Sequence, residues 1–173
     1  MATDNPMRAI VMEKLVVNIG TGSEENVQNN AKRLLEIITG RKPSNAHSKK
    51  RNPAFKISKG QKIGAFVTVR GQDIKPLANR LLDAVDKKLK ESTVTDNSLS
   101  FGIHEYIDIS GVKYDPKIGM MGMNINLSFK RKGLRVAQRK RKRAEIPAFH
   151  RKIVRDDIKD FMKKEFNVEF VSA

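Results

Sequence analysis

From Met123 to Arg131 the chain alternates without a break, with Met123, Ile125, Leu127 and Phe129 on one side and Asn124, Asn126, Ser128 and Lys130 on the other. A period of two with one apolar and one polar set describes a strand whose sheet is covered on a single face. Lys14 to Gly20 repeats the pattern, setting Leu15, Val17 and Ile19 against Lys14, Val16 and Asn18. Lys62 to Arg70 does so again, with Ile63, Ala65, Val67 and Val69 opposite Phe66, Thr68 and Arg70. Segments of this kind fit an antiparallel sheet with one face in the core and one left open.

Elsewhere the apolar period becomes helical. Ser23, followed by Glu24 and Glu25, predicts an N-cap, and Val27, Ala31, Leu34, Leu35 and Ile38 form a stripe that Gly40 ends. Asp73 predicts the cap of a second helix carrying Ile74, Leu77, Ala78, Leu81, Leu82, Val85 and Leu89. Pro147 opens a third through Ile153, Val154, Ile158, Phe161 and Met162, and Val168 to Val171 reads as a last short strand. Arg41 to Lys50 has no apolar period and is expected to be an extended loop punctuated by Pro43 and Pro53. Ala54 to Ser58 is expected to be a strand joined to Lys62–Arg70 through a tip at Lys59-Gly60-Gln61. Ser98 to His104 and Tyr106 to Ile109 look extended, and Gly111 to Gly122 is a loop. The order of elements predicts an α+β fold: an antiparallel sheet with helices packed on one face, an RNP-like two-layer arrangement, in one domain over residues 1–173.

Charge locates the partner. The chain of 173 residues carries 35 Lys and Arg against 19 Asp and Glu, a net +16. Arg41 to Lys62 holds eight cations and no acid, and Arg131 to Arg143 holds eight more, again with no acid. The other 19 cations are matched by all 19 acids, so the excess is confined to these two basic extensions. Such concentration points to a polyanion. The second run lacks the interleaved large apolar residues that would seat it in a lipid interface, so RNA is preferred to a membrane. DNA shares the phosphate chemistry and is not separated on charge. Beside the cations, the open sheet face would present Asn18, Thr68, Arg70, Asn124, Asn126, Ser128 and Lys130, groups suited to sugar hydroxyls and base edges.

The chemistry of an enzyme finds little support. Gly20-Thr21-Gly22 follows a strand and opens a helix, but Glu25 occupies the third glycine position of a dinucleotide fingerprint. Ile118-Gly119-Met120-Met121-Gly122 matches the GxxG of KH domains in letters, yet it runs into an alternating strand instead of joining two helices. His47, His104 and His150 lack metal-ligand spacing, and Asp156, Asp157 and Asp160 have Lys and Arg neighbours for ion pairing. Neither a metal nor another cofactor is expected. With no cysteine, no apolar run of spanning length and no secretory-like N-terminus, a cytoplasmic protein is expected.

Four strings in order carry a resemblance: Lys14-Leu15-Val16-Val17-Asn18-Ile19-Gly20, Thr39-Gly40-Arg41-Lys42-Pro43, Gly64-Ala65-Phe66-Val67-Thr68-Val69-Arg70-Gly71, and Tyr114-Asp115-Pro116-Lys117-Ile118-Gly119-Met120-Met121-Gly122-Met123. Together they closely resemble the large-subunit ribosomal protein L-five family, in its archaeal and eukaryotic branch. The resemblance implies a non-catalytic protein that binds 5S rRNA in the central protuberance, next to other proteins there. It also implies contacts with P-site tRNA and with a small-subunit head protein across an intersubunit bridge. Carried onto matching positions, the 5S contacts fall on Asn18, Arg41, Lys42, Thr68 and Arg70, joined by Asn124 and Asn126 from the same open face. The tRNA contact falls on Lys56, Ser58, Lys59, Gly60, Gln61 and Lys62. Arg41 stands where the family often has Gln, which favours a phosphate contact there. Arg135, Arg139, Lys140, Arg141, Lys142 and Arg143 are expected to hold large-subunit rRNA.

Overall fold

The computed structural model describes residues 5–171. In chain order its elements are β1 (Ile10–Gly20), α1 (Glu25–Thr39), β2 (Ser44–His47), β3 (Lys62–Val69), α2 (Ile74–Asp83), β4 (Lys88–Lys90), β5 (Val94–Thr95), β6 (Ser98–Ile103), β7 (Met123–Arg131), α3 (Arg135–Gln138), α4 (Ala148–Arg151), α5 (Arg155–Phe166) and β8 (Glu169–Val171). Six strands form one antiparallel sheet in the order β2-β3-β1-β7-β6-β5, and β4 pairs with β8 in parallel beside it. The fold is α+β.

The alternating segments occupy the centre. Leu15 of β1 lies opposite Val69 of β3 and Leu127 of β7, and all three side chains are buried. Leu99, Phe101 and Ile103 of β6 extend the same apolar face. Over it pack Ala31, Leu34, Leu35 and Ile38 of α1, Ile74 to Leu82 of α2, and Ile158, Met162 and Phe166 of α5, forming one core. Phe161 of α5 meets Phe129 edge-on, with ring centroids 5.7 Å apart. The register of β1 shifts at Glu13. This extra residue restores Met12 and Ile10 to the core side after Lys14 has pointed outward, as a bulge does.

Several local expectations are corrected. The partner of β3 in the hairpin is Ser44–His47, inside the stretch expected to be loop, while Ala54 to Ser58 is no strand. Pro53 has no N–H and a fixed φ, and it starts a 3₁₀ turn over Pro53–Phe55 that a single bridge between Asn52 and Ile57 closes. An edge strand lies half in solvent, so β2 needs no apolar period. The second helix stops at Asp83 because Asp86 and Lys87 take positive φ of 51° and 55°, and Leu89 is buried from β4 instead. The helix expected from Pro147 is broken at Lys152–Val154 into α4 and α5. Tyr106–Asp108 is a 3₁₀ turn, and neither Ser23 nor Asp73 makes a side-chain cap: α1 starts from Glu24 without one.

Candidate nucleic-acid interface

The open face can be read across the strands. One row runs Ser44, Phe66, Asn18, Asn124 and Gly102, and the next runs Thr68, Val16, Asn126 and Ser100. A third pairs Lys14 with Ser128 and Ser98. Asn18, Thr68, Asn124 and Asn126 are therefore brought together, as alternation requires. Two apolar side chains, Val16 and Phe66, sit half-buried among them. The rows carry no acid, and Lys14 is their one cation.

Arg70 continues β3 in extended backbone and is exposed just before the Gly71–Asp73 turn. Arg41 pairs with Asp73, so the end of α1 is drawn to that same turn, and Arg41 and Arg70 flank one end of the sheet. Lys42 is exposed next to Arg41. At the C-terminal end of β7, Lys130 faces Glu13 at 3.6 Å.

The loop between β2 and β3 is ordered by its own backbone. Ser48 N–H donates to Gln61 (2.8 Å), Gly60 N–H to Ser48 (2.9 Å), and Asn52 and Ile57 exchange bonds of 2.9 and 3.0 Å. Gln61 Oε1 accepts the Ser58 N–H at 2.8 Å. Gly60 at φ +83° and Lys56 at φ 54° make the two sharp turns. Lys49, Lys50, Arg51, Lys56, Lys59 and Lys62 are all exposed on it. Phe55 is 71% exposed in their midst, the most exposed large apolar side chain among the described residues. The expectation of a strand there had hidden it. Nor did charge or motif single out Gln28, which is 5% exposed and donates to Lys62 O at 2.9 Å, anchoring the base of the hairpin to α1. Its spacing with Ala31, Leu35 and Ile38 on the apolar stripe was the available signal.

The second basic run is not uniform. Arg131 is 14% exposed and donates to Asp157 (2.9 Å), to Arg8 O (2.8 Å) and to Lys152 O (3.1 Å). It is a structural clasp. Arg135 and Arg139 to Arg143 are exposed, on α3 and on a return whose backbone closes from Ala144 N–H to Val136 O. Among the described residues no group of acids and histidines could hold a metal, and no helix is long and apolar enough to cross a membrane.

Two family models cover this architecture: "Ribosomal protein L5" matches residues 5–57, and the C-terminus model of the same ribosomal family matches residues 62–150. Curated relatives match end to end. The large ribosomal subunit protein uL5 of Sulfurisphaera tokodaii is 40% identical over 99% of this chain and 97% of its own. That of Cenarchaeum symbiosum is 40% identical over 95% and 98%, and that of Nitrosopumilus maritimus 41% over 96% of each. The chain belongs to the uL5 family. As a uL5 protein it is a component of the large ribosomal subunit, acts in translation within a ribonucleoprotein, and is not an enzyme. The uL5 family models meet in the hairpin, between Ile57 and Lys62, whereas the uL5 sheet runs across that junction through β1 and β3.

Proposed function

We propose that this protein binds 5S rRNA and holds it in the central protuberance of the large subunit, in the ribosome of the cytoplasm, beside neighbouring protuberance proteins. The observation that carries this reading is the neutral open face of the sheet, flanked by cations at its end. Asn18, Thr68, Asn124 and Asn126 supply hydrogen bonds to sugars and base edges, while Arg41, Lys42 and Arg70 engage phosphates. The pairing of Arg41 with Asp73 is exposed and so costs little to exchange for a phosphate.

The hairpin loop, Lys56, Ser58, Lys59, Gly60, Gln61 and Lys62, contacts P-site tRNA. Its internal hydrogen bonds hold its shape, and exposed cations around an exposed Phe55 suit an RNA surface. Arg135, Arg139, Lys140, Arg141, Lys142 and Arg143 neutralise large-subunit rRNA, and a further surface meets a small-subunit head protein across the bridge. Since β1, in the first matched segment, pairs with β3 and β7, both in the second, we treat residues 1–173 as one domain.

Filter binding of purified 5S rRNA and tRNA tests this division. Thr68→Val combined with Arg70→Ala weakens 5S binding, whereas Lys59→Glu spares it and impairs the tRNA contact. Equal losses of 5S binding from both changes would refute the assignment, and equal affinity for duplex DNA and 5S rRNA would favour a DNA-compacting protein.

A further inference from the structure

Where the open face ends, at Lys14 and Ser128, the α3–α4 segment faces it across a cleft of about 900 Å³. The cleft joins two features that the 5S and rRNA assignments treat separately. Its floor is sheet, Lys14, Ser98 and Ser128, and its opposite wall is Gln138, Arg143, Phe149, Arg151 and Lys152. Two carboxylates line it, and both face cations: Glu13 lies 3.6 Å from Lys130, and Asp96 lies 3.7 Å from Arg155. Lys14, Arg143, Arg151 and Lys152 have no acidic partner among the described residues.

The wall also carries an aromatic. Phe149 is 69% exposed, and its ring lies against that of His150 with centroids 3.9 Å apart, leaving its remaining surface to the cleft and solvent. Unpaired cations, neutral hydroxyl and amide groups and one open ring match the three parts of a nucleotide: phosphate, sugar and base. The volume falls within the range of about 300–1,000 Å³ typical of sites for small ligands. It suits nucleotides turned out of a helix and is too small for a duplex.

We propose that this cleft binds unpaired nucleotides of RNA, with a base stacked on Phe149 and its phosphates held by Lys14 and Arg143. The site adjoins the Asn18–Asn126 surface at the Lys14–Ser128 row and takes Arg143 from the proposed rRNA-binding run, yet it stands whether or not the sheet face takes 5S rRNA. It gives the second basic run a specific task in addition to charge neutralisation: α4 closes over a strand that the sheet supports.

The chain has no tryptophan, so Phe149→Trp creates a single fluorescent reporter in the cleft wall. Titrating it with a single-stranded oligouridylate at fixed salt is expected to quench the emission, while a fully paired RNA duplex quenches weakly. In filter binding of the same oligonucleotide, Phe149→Leu lowers affinity about tenfold through lost stacking. Lys14→Glu lowers it about fivefold or more, and Arg33→Glu on the opposite, helical layer leaves it within about twofold. The proposal is overturned if the duplex binds as tightly as the single strand, if polyglutamate quenches equally, or if Phe149→Leu and Arg33→Glu have the same effect.

Discussion

Gln28 Nε2 donates a 2.9 Å hydrogen bond to the backbone carbonyl of Lys62, which fastens the first turn of α1 to the root of the basic hairpin. A second, longer bond of 3.4 Å reaches Gly22 O. Gln28→Leu keeps the volume and removes both hydrogen bonds, to Lys62 O and to Gly22 O, from a part-buried site. Urea denaturation should show a loss of about 1–3 kcal/mol. Amide exchange should also quicken at Lys62 and Ile63 more than in β7, since the damage is local to the hairpin root.

Arg131 and Arg141 lie in the same basic run and should fail in opposite ways. Arg131→Met breaks the clasp to Asp157, Arg8 and Lys152 and should cost roughly 2–4 kcal/mol, with Arg131→Lys restoring only part because it lacks the planar fork. Arg141→Ala, at an exposed site, should leave thermal stability unchanged. A salt titration of rRNA binding distinguishes them further: Arg141→Ala lowers the slope by roughly 0.7–0.9, the share of one phosphate contact, whereas Arg131→Lys leaves the slope alone.

Gly64 permits a close crossing of strands. A Cβ built there would meet Ile19 O at 2.5 Å, backbone that cannot move without opening the β1–β3 pair. Gly64→Ala should therefore destabilise by about 2–4 kcal/mol in chemical denaturation. Gly60→Ala is the mild contrast: nothing lies within 4 Å of its Cβ, and only the φ of +83° is strained, a cost of about 1–2 kcal/mol.

Phe55 should matter for binding and not for folding. With its side chain largely in solvent, Phe55→Ala should leave the melting temperature unchanged. If the hairpin meets RNA, the same change should weaken tRNA binding by about 1–3 kcal/mol while sparing 5S binding. A Phe55→Ala protein that binds tRNA as well as the wild type would remove the aromatic from the contact, and a parallel loss in Lys59→Glu would still keep the hairpin in it.

The sheet was legible because its central strands alternate: β7 runs from Met123 to Arg131, the bounds that the period gave, and the inward sets of β1 and β3 are buried, save Ile63 at the start of β3, which is half-buried. Legibility faded where solvent or backbone strain decided the structure. Ser44–His47 is an edge strand with no buried residue to give a period, and Pro53 turned the neighbouring apolar run into a 3₁₀ turn. Leu89 sat in phase with α2 but is delivered to the core by a strand, because the two left-handed residues before it ended the helix. Of the candidate interface, the outward positions of the sheet followed from alternation. Which cations are free did not: Arg41 and Arg131 are engaged with carboxylates distant in sequence, and no local pattern announces a partner such as Asp73 or Asp157.

The strand order has a consequence for how the protein is made. β1 leaves the synthesising ribosome before its partners, yet it ends in the middle of the sheet, between β3 and β7. Until Met123–Arg131 has emerged, one edge of β1 has no hydrogen-bonding partner, and Leu15, Val17 and Ile19 wait for part of their cover. Closure over such separations is slow and leaves the nascent chain open to aggregation meanwhile. A protein with so many cations also meets abundant RNA during that interval. Early shielding of the growing chain by a chaperone would therefore protect it from two hazards, strand pairing with its neighbours and premature capture by nucleic acid.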